Sequence, residues 1–244
     1  MAAVVTPRRV LVALVAVLLA NAFLLFGDLA RAVSVEDALE DFRHGEHLTT
    51  PPLPAAGVYV YDTAGSERVD RLGIHRAYPP VTTRTVRAHG CGVRETVTVF
   101  REHVETYDVC ADGVRDVAFA TRLSYYLVPS AMSLTCGRGG SRVAASSYAC
   151  AGDGTDASVT VTDEGVGSIE VEEVEVPCRR VVVTTVLRGA NAGGARRALC
   201  TDPRTGLVLT EDRVVGVSYR SGFVGRVTYT ERATFRIRSL VPLT

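Results

Sequence analysis

The stretch that decides the fold is "GRVTYTERATFRIRSL", residues 225–240. Val227, Tyr229, Ala233, Phe235 and Ile237 fall on one face of an extended chain. Arg226, Thr228, Thr230, Arg232, Thr234, Arg236 and Arg238 fall on the other. A period of two with apolar and polar faces belongs to an antiparallel strand that has one side in a core or cavity and one in water. Glu231 interrupts the apolar face. A buried carboxylate needs an arginine or a hydrogen-bond partner, so Glu231 reads as a structural ion pair or as a polar point in a cavity.

Just upstream, "CTDPRTGLVLTEDR" (200–213) packs a cysteine, two acids, a proline and a glycine before Leu207 and Leu209 resume the alternation. Pro203 suits the second position of a turn that begins at Asp202, and Gly206 relieves its exit. Asp202 is therefore a turn former accepting backbone hydrogen bonds, not a catalytic acid. Further back, from Gly57 onward, short Val-, Thr- and Tyr-rich runs alternate with turn signals. "GVYVYDTAGSERV" predicts a hairpin around Ala64-Gly65-Ser66, and "HGCGVRETVTVF" and "VETYDVC" predict successive strands. In "SIEVEEVEV" the adjacent Glu172 and Glu173 shift the register, as a bulge does, and its acids form the wet face of a strand. "SYYLVPSAM" is compatible with strand or short helix. About 190 residues of such sequence suffice for one domain with a substantial core, residues 57–244.

Ahead of this domain, "SVEDALEDFR" (34–43) predicts a short amphipathic helix. Ser34 caps it, Asp37 completes a capping box, and Val35, Ala38, Leu39 and Phe42 form one apolar stripe. "HGEHLTTPPLP" then makes a Pro-rich connector, so residues 31–56 hold the helix and the linker. His44, Glu46 and His47 lie in that linker without the rigid spacing a metal site needs, and no metal is assigned. Val10 to Phe26 read "VLVALVAVLLANAFLLF", uncharged and about 25 Å long as a helix. Arg8 and Arg9 precede it, which places residues 1–9 in the cytoplasm and makes 10–30 a single transmembrane signal anchor. The alternative is a secreted protein cleaved near Ala20-Asn21-Ala22. Either way the β domain is extracytoplasmic, at the cell membrane or beyond it.

Composition narrows the function. The chain has 244 residues with 27 basic and 27 acidic side chains, so it offers no basic surplus for nucleic acid. Every basic residue is arginine, and asparagine occurs only at positions 21 and 191, the mark of a high-GC bacterial genome. Six cysteines, all after the apolar segment, suit an oxidising compartment. No C-x-x-C occurs, and the expected pairing is sequential: Cys91–Cys110, Cys136–Cys150 and Cys178–Cys200. If Cys91 and Cys110 sit directly opposite one another, Val93, Val97 and Val99 share a face with Val104 but also with Asp108, a register the apolar pattern does not endorse. No nucleophile elbow, phosphate loop, dinucleotide fingerprint or H-E-x-x-H is present. His89 and His103 read as turn residues. The protein is expected to be no enzyme and to need no cofactor.

The order of helix, long meander, "D-P-x-T-G-L-x-L-x-E-D" and final amphipathic strand resembles the LolA/LppX-like lipoprotein-localisation half-barrels, and within them actinobacterial envelope proteins. The likeness rests on Gly57 to Tyr61, Asp202 to Leu209, and Gly225 to Pro242. It departs from the family at Cys200, where an aromatic is expected, and in having no tryptophan. The resemblance implies a mainly β fold: a single antiparallel curved, half-barrel-like sheet with the short helix against its opening. It further implies a concave face that holds a lipid or other apolar ligand, with Leu207, Leu209, Val227, Tyr229, Phe235 and Ile237 as cavity candidates. The alternative is an envelope interaction, sensory or structural module with a filled core and a protein partner.

Overall fold

The computed structural model of the chain describes Val15 and residues 31–44, 53–110, 115–125, 128–137, 144–222 and 224–244. Apart from Val15, the expected cytoplasmic N-terminus and anchor (1–30) lie outside the described residues, as do Glu46 and His47 of the connector. Among the described residues, no helix is long and apolar enough to cross a membrane.

One helix and thirteen strands follow in order: α1 (Val35–Arg43), β1 (Gly57–Val69), β2 (Ile74–Ala77), β3 (Val81–His89), β4 (Gly92–Phe100), β5 (His103–Cys110), β6 (Arg115–Tyr125), β7 (Val128–Cys136), β8 (Ser146–Gly152), β9 (Thr155–Val171), β10 (Val174–Gly189), β11 (Asn191–Thr201), β12 (Val208–Ser221) and β13 (Gly225–Ile237). All strands join one antiparallel sheet, neighbours in sequence except that β3 pairs with β1 and not β2, the curled half-barrel-like meander that the family resemblance implied. The curl goes further than an open sheet requires. β13 pairs with β1 from Tyr61↔Ile237 to Val69↔Tyr229, while the other edge of β1 holds β3 and β2. Because β2 and β3 run in line along that edge, thirteen strands with two sharing a place make twelve positions around the circuit.

The predicted hairpin at Ala64-Gly65-Ser66 does not exist; β1 runs straight through it. Gly65 is there because β13 passes against it. A Cβ at that position would lie 2.4 Å from the Arg232 carbonyl oxygen and 2.6 Å from the Ala233 Cα. A glycine that admits a neighbouring backbone looks, in sequence, the same as one that turns the chain. The reverse holds at Glu172-Glu173, which is a turn and not a bulge. Val171 pairs with Val174, and both glutamates take positive φ, 50° and 64°, the backbone of a two-residue type I′ hairpin. Asp153-Gly154 makes the same turn between β8 and β9, with φ of 48° and 68°. In the ambiguous "SYYLVPSAM" segment, Ser124 and Tyr125 end β6 and pair with Pro129 and Val128 of β7, so its described residues are strand.

α1 forms as its sequence dictates. The Ser34 hydroxyl accepts from the Asp37 N–H at 3.0 Å, and the Asp37 carboxylate accepts from the Ser34 N–H at 3.4 Å. Ala38 and Phe42 are buried with Val33, Leu39, Ala56 and Val58. Val58 points away from the interior, since its neighbours Tyr59 and Tyr61 face inward on alternate positions. The helix therefore covers the convex side of β1 and β3, fastened by Arg87 to Asp41 at 2.8 Å. It does not stand against the opening, as the family resemblance implied.

Three disulfides form in the expected sequential pattern: Cys91–Cys110, Cys136–Cys150 and Cys178–Cys200, with Cα separations of 4.9, 3.9 and 5.5 Å. They suit an extracytoplasmic protein. The register expected around the first bridge is corrected. Cys110 lies opposite Gly92, not Cys91, and Val93 lies opposite Val109. Cys91 occupies the turn before β4 and reaches Cys110 from there. Val93, Val97 and Val99 thus share the interior with Tyr107 and Val109, while Asp108 faces outward. The apolar pattern had the register right; the cysteine positions alone did not.

Candidate functional site: a polar-floored pocket inside the sheet

The interior is layered. Along the inward positions of β12 come Leu209, then Glu211 and Arg213, then Val215, Val217 and Tyr219. Along β13, antiparallel to it, come Tyr229, Glu231, Ala233, Phe235 and Ile237. The end nearest α1 and the C-terminus is packed solid by Tyr59, Tyr61, Val86, Leu209, Phe235, Ile237 and the Cys178–Cys200 bridge. A belt of charges crosses the middle. Beyond the belt lies an apolar hollow.

The belt is a connected network. Arg84, 2 % exposed, donates to Glu95 at 3.0 Å and to Glu211 at 2.9 Å. Arg197 donates to both oxygens of Glu211, at 2.7 and 3.1 Å. Arg213 donates from Nη1 to Glu105 at 2.6 Å and from Nε to Glu231. His103 lies between two carboxylates, with Nδ1 2.9 Å from Glu67 and Nε2 3.3 Å from Glu105. Tyr107 donates to Glu105 at 3.0 Å and Tyr229 to Glu231 at 3.0 Å. Arg76 closes the network by bonding Glu67 and Glu102.

Burial alone would strip the charge from these groups, and the partners reverse it. Burial lowers the His103 pKa, but the hydrogen bonds and charges of Glu105 and Glu67 outweigh it and hold it up at about 9. Burial raises the Glu211 carboxyl, yet Arg197, Arg213 and Arg84 bring it down to about 2. Glu105 is likewise held well below the usual carboxylate range by Arg213 and His103 against burial. Burial pushes the Tyr59 and Tyr219 hydroxyls up to about 12.

The belt is the floor of the hollow, which has a volume of about 130 Å³. Its walls are Met132, Leu134, Val159, Leu187, Val215 and Val217, carried on β7, β9, β10 and β12. His103, Glu105, Arg197, Arg213, Tyr229 and Glu231 close the bottom. Asn191 and Tyr219, at the far end of the hollow, also border a second space of about 500 Å³, whose other lining includes Ala192, Ser218, Arg220 and Arg226 on outward positions of β11, β12 and β13. This second space sits where the β8–β9, β10–β11 and β12–β13 hairpins cluster, opposite the end where β1 begins and β13 finishes.

Of the six cavity candidates from the sequence, Tyr229 lines the hollow. Leu207, Leu209, Phe235 and Ile237 belong to the packed end, and Val227 packs with Val69 and Tyr219. His103, read as a turn residue, opens β5 and is 1 % exposed. His103, Glu105, Arg197 and Arg213 were not picked out by sequence reasoning. The usable signal was phase: His103 and Glu105 alternate in step with Tyr107 and Val109, and Arg213 with Val215 and Val217. Glu231 turns out to be both of the things offered for it, an ion-pair partner of Arg213 and a polar point in the cavity.

Ligand atoms of His103, Glu105 and Glu231 lie within 4.8 Å of one another, a donor set that suits a cation. The Arg213 guanidinium already bonds both carboxylates, and the imidazole is held by Glu67 and Glu105. A metal there would have to displace an arginine and strip a proton from His103, so these residues fit an ion-pair network better than a metal.

No known family model matches the chain, and no curated protein matches it. Among solved structures, the chain is similar to the hypothetical lipoprotein YmcC from Escherichia coli (K12), at 12% identity over 87% of this chain and 98% of that one, with a TM-score of 0.28.

Proposed function

We propose that the domain is a non-catalytic, extracytoplasmic receptacle for a lipid or other apolar ligand, of the kind its resemblance to the lipoprotein-localisation half-barrels implies. The observation that carries this is the apolar hollow, walled by valine, leucine and methionine and lying at the hairpin end of the interior, its mouth side, away from α1. A hollow that water must fill is costly to line with apolar side chains, and a ligand relieves that cost. Catalysis has no such support: both ring nitrogens of His103 are held by carboxylates, which leaves the imidazole no free lone pair for a nucleophile. On this reading residues 10–30 tether the domain to the membrane, so it retains or hands over ligand close to the bilayer instead of carrying it far.

The test is to purify the protein from its native host without detergent and identify bound molecules by native and lipid mass spectrometry. A bound apolar species, lost when Val217→Trp fills the hollow, is the expected result. An empty protein that also fails to bind the neutral dye N-phenylnaphthylamine refutes the receptacle. A second reading, docking of an envelope protein, is favoured by Val174 and Val241, which stand 61% and 74% exposed towards the closed end. Crosslinking in cells that captures one reproducible partner at those residues would favour it.

A further inference from the structure

The chain enters the domain from a defined side. The Arg31 carbonyl accepts from the Arg101 N–H at 3.1 Å, and Ala32 pairs antiparallel with Phe100, the last residue of β4. β4 is antiparallel to β3, and β3 to β1, so β4 runs in the same sense as β1, from the α1 end towards the hairpin end. A segment antiparallel to β4 runs the other way, so the backbone arrives at Arg31 from the hairpin end. In the sequence, only Gly27, Asp28, Leu29 and Ala30 separate Arg31 from the apolar run that ends at Phe26. Five Cα steps reach at most about 17 Å when fully extended. With residues 10–26 in the bilayer, the β4–β5 turn is held within that distance of the membrane, hairpin end first.

Charge divides along the same axis. Arg220 and Arg226 stand directly opposite one another at the end of the β12–β13 ladder, both exposed. Like charges in that position repel, and neither arginine makes an ion pair among the described residues. Arg71, in the connection from β1 to β2, is exposed at the same end. The acids nearby are engaged: Asp70 accepts from the Thr228 N–H at 2.8 Å, Asp153 accepts from the Ser133 N–H at 2.7 Å, and Asp156 lies across from Arg188. The opposite end carries Glu170, Glu172, Glu173 and Glu175 around the β9–β10 turn, all exposed.

We propose, resting on the tethered-receptacle reading, that the hairpin end is a membrane-docking surface seated on the anionic outer leaflet of the bilayer that holds the anchor. Arg220 and Arg226 meet lipid phosphates, which relieves their mutual repulsion, and the acidic β9–β10 turn points away from the bilayer. The hollow then opens towards the headgroups and takes its ligand from that leaflet.

The chain has no tryptophan, so one introduced indole reports its own surroundings. Gly222→Trp places it at the hairpin end, where a Cβ meets nothing within 4 Å. Val241→Trp places it at the other end, where the native side chain is 74% exposed. Each full-length variant, its fold checked by circular dichroism, is reconstituted in vesicles of phosphatidylglycerol and phosphatidylcholine, part of the latter brominated to quench indoles at near contact. Quenching confined to Gly222→Trp is the expected result. Arg220→Ser with Arg226→Ser in that background should lower the ratio of docked to undocked protein about fivefold for each arginine removed. Equal quenching at both ends, stronger quenching of Val241→Trp, or none at either overturns the docking surface and leaves the receptacle standing. Quenching of Gly222→Trp that is indifferent both to the arginines and to phosphatidylglycerol overturns the part given to charge. A full chain that does not float with the vesicles removes the tether, and this proposal falls with it. If Gly222→Trp is quenched but mass spectrometry of the native protein finds no bound molecule, the receptacle and the ligand's source are refuted while the docking surface stands.

Discussion

Raising the pH should loosen the protein through one residue. His103 is buried and faces Glu67 from β1 and Glu105 from its own strand. Arg76 on β2, Glu102 just before β5, Arg213 on β12, and Tyr229 and Glu231 on β13 lie around this group. Its pKa stands at about 9 in the fold against 6.5 for a free imidazole. Below about 6.5 the folded and unfolded chains both carry the proton, and the full stabilisation is present. Between 6.5 and about 9 only the folded state holds it, so stability falls with pH, by about 3 kcal/mol over the window, and levels off above it. In urea that corresponds to a midpoint lower by about 1 M or slightly more. The assay is urea unfolding in non-reducing buffer, followed by far-ultraviolet circular dichroism, at several values across the window. The buried tyrosines titrate above their free value of 10.0 and do not enter it. His103→Gln keeps hydrogen bonding without a titrating proton and should be less stable at the start but flat with pH. A midpoint that holds or rises between 6.5 and 9, or a slope that persists in His103→Gln, would refute the assignment of this proton to the belt.

Arg213→Met leaves Glu105 and Glu231 without their common cation and should cost about 3–5 kcal/mol in unfolding free energy. Combining it with Glu105→Gln and Glu231→Gln should recover most of that loss, since the carboxylates that made the vacancy costly are then gone; unfolding curves of the single and triple variants check this. Gly65→Val sets a branched side chain against the backbone of Arg232 and Ala233 and should cost about 2–4 kcal/mol. Hydrogen exchange should show the loss concentrated in the β1–β13 pairing, whereas Gly216→Val on β12, where the backbone is ordinary and a Cβ meets nothing within 4 Å, should leave that pairing protected.

How much of this was legible in the sequence depended on the distance over which each feature is determined. The capping box of α1 and the Asp202 turn were readable because their partners lie within a few residues. Asp202 accepts from the Arg204 N–H at 3.0 Å and from the Thr205 hydroxyl at 2.7 Å, and Gly206 at φ 75° closes the turn. The alternation of β13 was readable for the same reason. Gly65 was misread because the object that requires a glycine, β13, is some 170 positions later in the chain. The belt was invisible for a related reason. An inward-pointing Glu or Arg breaks an apolar pattern wherever it stands, and only the fold shows that the breaks at positions 67, 105, 213 and 231 meet. Arg84 and Glu211 are separated by 127 residues, and no local rule connects them.

The same geometry explains why an interior of this kind carries charge at all. Eight strands enclose a space that ordinary side chains can fill, and the diameter grows with each further strand. Twelve positions leave a bore too wide for valines and leucines to close from opposite walls, and this chain has no tryptophan to bridge it. At the α1 end the gap is closed by tyrosines, phenylalanines and a disulfide. In the middle it is closed by the longest side chains that remain, arginines and glutamates, which reach across the bore only because each ends on an opposite charge. Nearer the mouth the inward positions of β9, β10, β11 and β12 are Ala157, Val159, Thr185, Ala195, Val215 and Val217. None of these is long enough to meet its opposite number. The hollow begins where the long paired side chains stop, so its depth is set by the position of Arg213 and Glu231 along their strands. Moving that pair by two residues towards the mouth, to positions 215 and 229, would shorten the space available to a ligand by about 7 Å without altering the sheet.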